Sequence, residues 1–240
     1  YNYEYAYRTG DTSVIKTDEQ EAFFEGLSAC LDAAFEYNTL FEQEKAVHDY
    51  MVLNSAYDYE SYQNGTVPEV SHTAEGIFVY KTAVCDGYAG AFKLCMDILG
   101  IPCETITGTA GGIGHAWNAV MLDDEWYMVD VTWDDPVGGS PEYIDHSYFN
   151  ISDSDMAIDH TWTSDINDAN PANGYIYTYP VQAKLHSVGT QYDLDRYILR
   201  CIKSRSDHIE FTTISDLDLK SAVSNAGVQL SYSYKATERT

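Results

Sequence analysis

The chain has 240 residues, 45% hydrophobic and 21% charged, the make-up of a globular protein with one large domain, or one domain and a small appendage. Thirteen basic against 38 acidic residues leave a net charge of −25, which argues against nucleic acid and anionic membranes as partners and favours cationic peptides or lysine-rich surfaces. No apolar run approaches the ~20 residues of a membrane span.

Five cysteines, at 30, 85, 95, 103 and 201, are odd in number and lack a CxxC spacing, which speaks against a disulfide framework or a zinc site. Twenty-one tyrosines against 13 lysines and arginines suggest an exported, acidic bacterial protein, so an extracellular or cell-surface location is expected, with any signal segment outside this chain.

Thr17-Asp-Glu-Gln20 fits a capping box ahead of EAFFEGLSACLDAAFEYN and predicts a helix over 18–37. A second helix is expected over 41–54, with Ala46, Val47, Tyr50, Met51 and Leu53 on its buried side. Asn64-Gly65 and Pro68 mark a loop. In KTAVCDGYAGAFKLC, Ala91, Phe92, Cys95, Ile98 and Leu99 define one face of a third helix, which Gly100-Ile101-Pro102 ends. Cys85 therefore falls at or just before its first turn. CETITG (103–108) reads as a strand and AGGIG (110–114) as a flexible connection. HAWNAVML and EWYMVDVT flank Asp123-Asp124 as the two arms of a hairpin. Trp133-Asp134-Asp135-Pro136 turns the chain out of the sheet, and 137–142 forms a mobile rim. From about 190 the pattern restarts: helix in DLDRYILRCIKS, strand in HIEFTTI, helix in DLDLKSAVSNAG, strand in VQLSYSY.

A two-residue turn at 123–124 sets Leu122 opposite Glu125, and hence Trp117 opposite Asp130 and His115 opposite Thr132. Because side chains alternate, His115 and Asp130 share a face as diagonal neighbours ~7–8 Å apart. At that spacing an acid can orient a histidine for base catalysis. Each residue alone has an ordinary explanation. A helical cysteine is usually a small buried hydrophobe, the reading for Cys30, Cys95 and Cys201; a strand histidine is more often structural; Asp130 alone suits a turn. Together, a thiol at a helix start, a strand histidine and an acid in register make the parts of an activated nucleophile.

VCDGYAGAFKLC around Cys85, GHAWNAV around His115 and WYMVDVTWDDP around Asp130 resemble the transglutaminase-like superfamily, in its order of Cys, His and Asp. The lead-in EKAVHDYMVLNSAYD and the trailing HSYFNISDSDM resemble its compact bacterial members, and the likeness covers roughly 41–162. It implies an α+β, papain-like core in which a helix bearing the nucleophile packs on an antiparallel sheet carrying His and Asp. The expected layout is an N-terminal extension over 1–40, a catalytic core over 41–165, a connection over 166–189 and a small α/β appendage over 190–240.

By that resemblance Cys85 is the nucleophile, His115 the general base and acid, and Asp130 the orienting acid. The reaction would be acyl transfer on an amide bond of a protein or peptide through a thioester, ending in hydrolysis or transamidation; the alternative is a non-catalytic peptide- or glycan-binding module. Trp117, Tyr80 and His72 are the candidate substrate-binding residues, and Gly76 is a further one. Asp86, next to Cys85, reads as a helix-capping acid. Asp134, Asp135 and Glu142 are expected on the rim, where they would favour cationic substrates. His146 and His160, in acidic surroundings, read as hydrogen-bonding groups rather than metal ligands. DSD (153–155) and DINDAN (165–170) do not fit an EF-hand loop, and no metal or cofactor is expected.

Overall fold

In the computed structural model the described residues are 2–135, 144–163, 172–203, 209–213 and 217–225. They divide into two compact units, Tyr1–Tyr177 and Thr178–Thr240.

The first unit opens with α1 (Asn2–Thr9), α2 (Asp18–Phe35) and α3 (Leu40–Asn54). Thr17 caps α2 by accepting from the Gln20 N–H, and Gln20 Oε1 reaches back to the Lys16 N–H at 2.8 Å, one residue before the expected capping-box partner. Thr39 caps α3 in the same way through the Glu42 N–H. The buried stripe of α3 is Phe41, Glu44, Val47, His48, Met51 and Val52, whereas Leu53, expected inside, is exposed. Helical spacing dictates that stripe whatever its polarity, so an acid and a histidine enter the core with it.

Short strands β1 (Ala56–Tyr57) and β2 (Thr82–Ala83) pair in parallel, with α4 (Tyr59–Asn64) between them. A π-helical turn at Gly76–Tyr80 ends at Lys81, whose φ is 58°. Helix α5 (Cys85–Leu99) follows and ends on left-handed Gly100.

A four-stranded antiparallel sheet comes next: β3 (Cys103–Ala110), β4 (Ile113–Leu122), β5 (Glu125–Val129) and, after the four-residue α6 (Asp153–Met156), β6 (His160–Trp162), in the order β5-β4-β3-β6. Residues 110–114, expected to be a flexible connection, are strand ends around a tight turn at Gly111-Gly112, where both φ values are positive (56° and 81°). The β4–β5 turn follows the expected register, Leu122 facing Glu125. Asp123 and Asp124 have φ of 48° and 65°, the twist a two-residue type I′ hairpin needs. The strand ends at Val129 rather than Thr132, because the Asp130 N–H leaves the ladder for the Tyr148 carbonyl and its carboxylate Oδ1 accepts from the Trp133 N–H.

One sheet face meets α5, where Asn118 donates to the Ala89 carbonyl at 3.1 Å. The other builds a core of Ile106, Trp117, Ala119, Met128, Ile151 and Met156. The architecture is thus α+β, with the Cys85 helix against an antiparallel sheet.

In the second unit, helices Tyr179–Gln182, Gln191–Lys203 and Leu219–Asn225 accompany a parallel pair of strands, His186–Val188 and Phe211–Thr213. Val188, Leu194, Ile198, Ala222 and Val223 form its core. The strand expected in VQLSYSY lies outside the described residues, as do the rim segment 137–142 and DINDAN. No helix among the described residues is long and apolar enough to cross a membrane.

Candidate active site

Cys85 is the first residue of α5, after the extended N-cap Val84. The first intrahelical bond runs from the Tyr88 N–H to the Val84 carbonyl, so the N–H groups of the opening turn have no partner within the helix. Asp86, expected to cap the helix, is not at the N-cap position, which is Val84: its Oδ1 accepts from the Gly87 N–H in the first turn at 3.1 Å, and its Oδ2 lies 2.8 Å from His72 Nδ1.

His115, on β4, lies 2.7 Å through Nε2 from Asp130 Oδ2, and Cys85 is near enough to act on its titration. With Nε2 given to Asp130, Nδ1 is the nitrogen left for the thiol. Burial works against a charge on this imidazole, but the bond to Asp130 and the nearby Cys85 outweigh it and raise its pKa to about 9. Asp130 is completely buried; burial alone would raise its pKa, and hydrogen bonds from His115 and His160 lower it instead.

Sequence reasoning missed the second partner of Asp130. His160 Nε2 lies 3.0 Å from the same Oδ2, and His160 Nδ1 lies 2.7 Å from Asp159 Oδ1. The acidic setting of His160 was visible, but nothing local indicated that β6 would pair with β3 and bring it to Asp130.

The remaining candidates divide. Trp117, expected to bind substrate, is only 1% exposed; its ring lies 5.9 Å from that of His115 and 4.9 Å from that of His160. It supports the imidazoles from inside the core and offers no surface to substrate. His72 is exposed and held by Asp86, and Tyr80 is 53% exposed at the end of the π-helical turn. Gly76 is buried where a Cβ would meet the Thr82 carbonyl at 2.7 Å, so its role is close backbone packing.

Asp134 is not a rim charge. Asp134 is wholly buried and 3.1 Å from His48 Nε2, with burial raising its pKa to about 7 despite that bond. Asp135 accepts from the Tyr88 hydroxyl, and burial raises it to about 6. Asp134 is thereby removed from the expected acidic rim, and Asp135 is only partly exposed.

Among the described residues, two clusters have three potential ligand atoms within 4.8 Å of one another: His48, Asp49 and His146, and His115, Asp130 and His160. Within each, imidazole nitrogens stand 2.7 to 3.0 Å from a carboxylate oxygen, the separation of a direct hydrogen bond. A metal ion would have to replace those bonds.

The model of the transglutaminase-like superfamily matches residues 29–131, a span that contains Cys85, His115 and Asp130. Two curated relatives match part of the chain: kyphoscoliosis peptidase of Mus musculus, 31% identical over 114 residues (42% of this chain and 17% of the relative), and that of Homo sapiens, 41% identical over 61 residues (20% and 9%). The chain therefore spans less than a fifth of either relative. Among solved structures, a transglutaminase crystal structure aligns at 17% identity and a TM-score of 0.42 over 55% of this chain and 37% of that one. A candidate cysteine protease from Cytophaga hutchinsonii aligns at 16% identity and a TM-score of 0.37 over 46% and 37%.

Proposed function

We propose that this protein is a cysteine-dependent acyl-transfer enzyme acting on amide bonds of proteins or peptides. The observation that carries the reading is the bond between His115 and the buried Asp130, with Cys85 at the open end of α5 near enough to act on the titration of His115. Cys85 Sγ, as thiolate, attacks the amide carbonyl carbon, and the carbonyl electron pair moves onto oxygen. Backbone N–H groups of the opening turn of α5, that of Cys85 first, face the charge that develops. The tetrahedral adduct collapses, the C–N bond breaks and His115 passes its proton to the leaving amine, leaving a thioester. Water then attacks the thioester while His115 accepts a proton; the C–S bond breaks and a carboxylic acid leaves. A primary amine in place of water gives a new amide.

Asp130 keeps the imidazole oriented and stabilises its protonated form, the state that serves the leaving amine. The name of the curated relatives, a peptidase, favours hydrolysis as the first activity to test. Incubation with a broad peptide library, with and without a primary amine, followed by mass analysis, tests the proposal. Cleaved or amine-linked products, with an acyl adduct on Cys85, are expected. Peptide binding with no product and no adduct would instead identify a binding module.

A further inference from the structure

Asp130 Oδ2 accepts from two imidazoles, His115 at 2.7 Å and His160 at 3.0 Å, while Oδ1 accepts from the Trp133 N–H at 3.2 Å. His160 is gripped at both ends, because its Nδ1 faces Asp159 Oδ1 at 2.7 Å and the Tyr148 hydroxyl donates to Asp159 Oδ2 at 2.6 Å. The ring is 1% exposed and walled by Trp117, Trp133 and Tyr148, with ring centroids 4.9, 4.6 and 5.5 Å away. Both ring nitrogens of His160 thus face a carboxylate oxygen at hydrogen-bond distance.

This placement depends on a close backbone approach. His160 pairs with Ala110 and Trp162 with Gly108, and a Cβ on Gly108 would stand 2.1 Å from the Thr161 carbonyl oxygen. A glycine at 108 lets β6 close onto β3 and carry His160 to the carboxylate.

We propose that His160 is a positioning residue of the candidate site, anchoring Asp130 through the oxygen that receives His115 and limiting how tightly His115 holds its proton. The catalytic consequence rests on the function proposed above; the electrostatic one does not. His115 and His160 compete for one negative charge in a water-poor setting, where such interactions are strong. The titratable groups facing His160 are Asp130, Asp159, His115 and Tyr148; those facing His115 are Asp130, Cys85 and His160. Weakening the His160 donor leaves that Asp130 oxygen more fully to His115, so His115 should release its proton at higher pH.

The test is an NMR titration of the His115 imidazole in the full-length chain carrying Cys85→Ser, alone and combined with His160→Gln or Asp159→Asn. A glutamine amide is a weaker donor to Asp130 than an imidazole N–H, and Asp159→Asn removes the far carboxylate that holds the ring without touching Asp130. The His115 midpoint should rise by about 0.5–1 pH unit, a roughly threefold to tenfold change in its equilibrium, in His160→Gln, and by less in Asp159→Asn. A midpoint that stays or falls in both overturns the proposal. If near-UV circular dichroism shows that His160→Gln does not fold, Asp159→Asn decides alone. The readout needs no turnover, so it stands whether or not acyl transfer is found. In an active enzyme the alkaline limb of kcat/KM should move with the NMR midpoint, a shift that mere loss of packing would not produce.

Discussion

His115 Nε2 lies 2.7 Å from Asp130 Oδ2, with the acid side chain fully buried and that of the histidine 8% exposed. A protonated imidazole here has its counter-charge in a dry environment, which is why its pKa is raised to about 9 although burial opposes it. Asp130→Asn should keep the fold and reduce kcat/KM on the order of 10²–10⁴-fold, since an amide neither balances the imidazolium nor selects one tautomer. The His115 midpoint should fall in the same variant. Unchanged kcat/KM with an unchanged midpoint would mean that another group orients His115.

Cys85 should be the most readily alkylated thiol. Cys30, Cys95, Cys103 and Cys201 are all buried, at 0%, 0%, 4% and 9% exposure, whereas Cys85 is only partly covered. Burial also raises the pKa of Cys95 and Cys103, which reduces their thiolate fraction. Brief iodoacetamide treatment and peptide mapping should find the label at Cys85 first, more slowly so in His115→Ala near neutral pH. First labelling of Cys30 or Cys95 in the folded protein would remove the physical basis for the nucleophile.

Glu44 should make stability depend on pH in a direction opposite to that of a paired carboxylate. It is wholly buried, Oε2 accepting from Asn150 Nδ2 at 3.0 Å, and burial raises its pKa to about 8. The folded state thus keeps a proton that the unfolded chain releases near pH 4.5, so this contribution is fully present below 4.5 and lost as pH rises toward 8. Glu44→Gln should match the parent in Tm at pH 4 and exceed it at pH 9. An equal difference at both pH values would show that Glu44 does not titrate in this way.

His48 and His115 act in the same alkaline direction. Hydrogen bonds to carboxylates overcome burial and raise each to about 9, so their stabilisation is complete below about 6.5 and lost as pH rises through 9. The Asp134 partner of His48 is also raised, to about 7. Both members of that pair therefore make the native state hold protons the unfolded chain gives up. Tm should fall steadily between pH 6.5 and 9, and a flat profile there would contradict both assignments.

Two histidine–aspartate pairs should differ in what they contribute to stability. His48–Asp134 is sealed, both side chains at 0% exposure, while His72–Asp86 is open at 41% and 48%. Asp134→Ala should cost about 3–5 kcal/mol, because it leaves the buried Nε2 of His48 without its partner although Nδ1 keeps Asp49, while Asp86→Ala should cost no more than about 1 kcal/mol. Urea unfolding of the two variants makes the comparison, and equal losses would refute it.

Much of the local geometry was legible in the sequence. Thr17 and Gln20 announced the start of α2, and Asp123-Asp124 set the hairpin register because side chains alternate with a period of two. The helix beginning at Cys85 followed from its apolar spacing and the glycine that ends it. These features depend on residues close together in the chain, whose backbone preferences and hydrogen bonds act before any tertiary contact forms.

Burial of acids and partnership across the chain were not legible. Asp134 and Asp135 read as cleft charges, and only the fold turns them toward His48 and Tyr88, 86 and 47 residues away. Trp117 read as a substrate contact and became core because the sheet face beneath it is covered by Met156 and Trp162. The sequence alone determined where the thiol and the imidazole lie along their elements, since helix starts and strand alternation are local, whereas Asp130 falls one residue past the end of its strand. Tertiary structure decided that β6 would close onto β3 at Gly108 and bring His160 to Asp130, because a buried carboxylate is held by whichever donors the packed chain delivers.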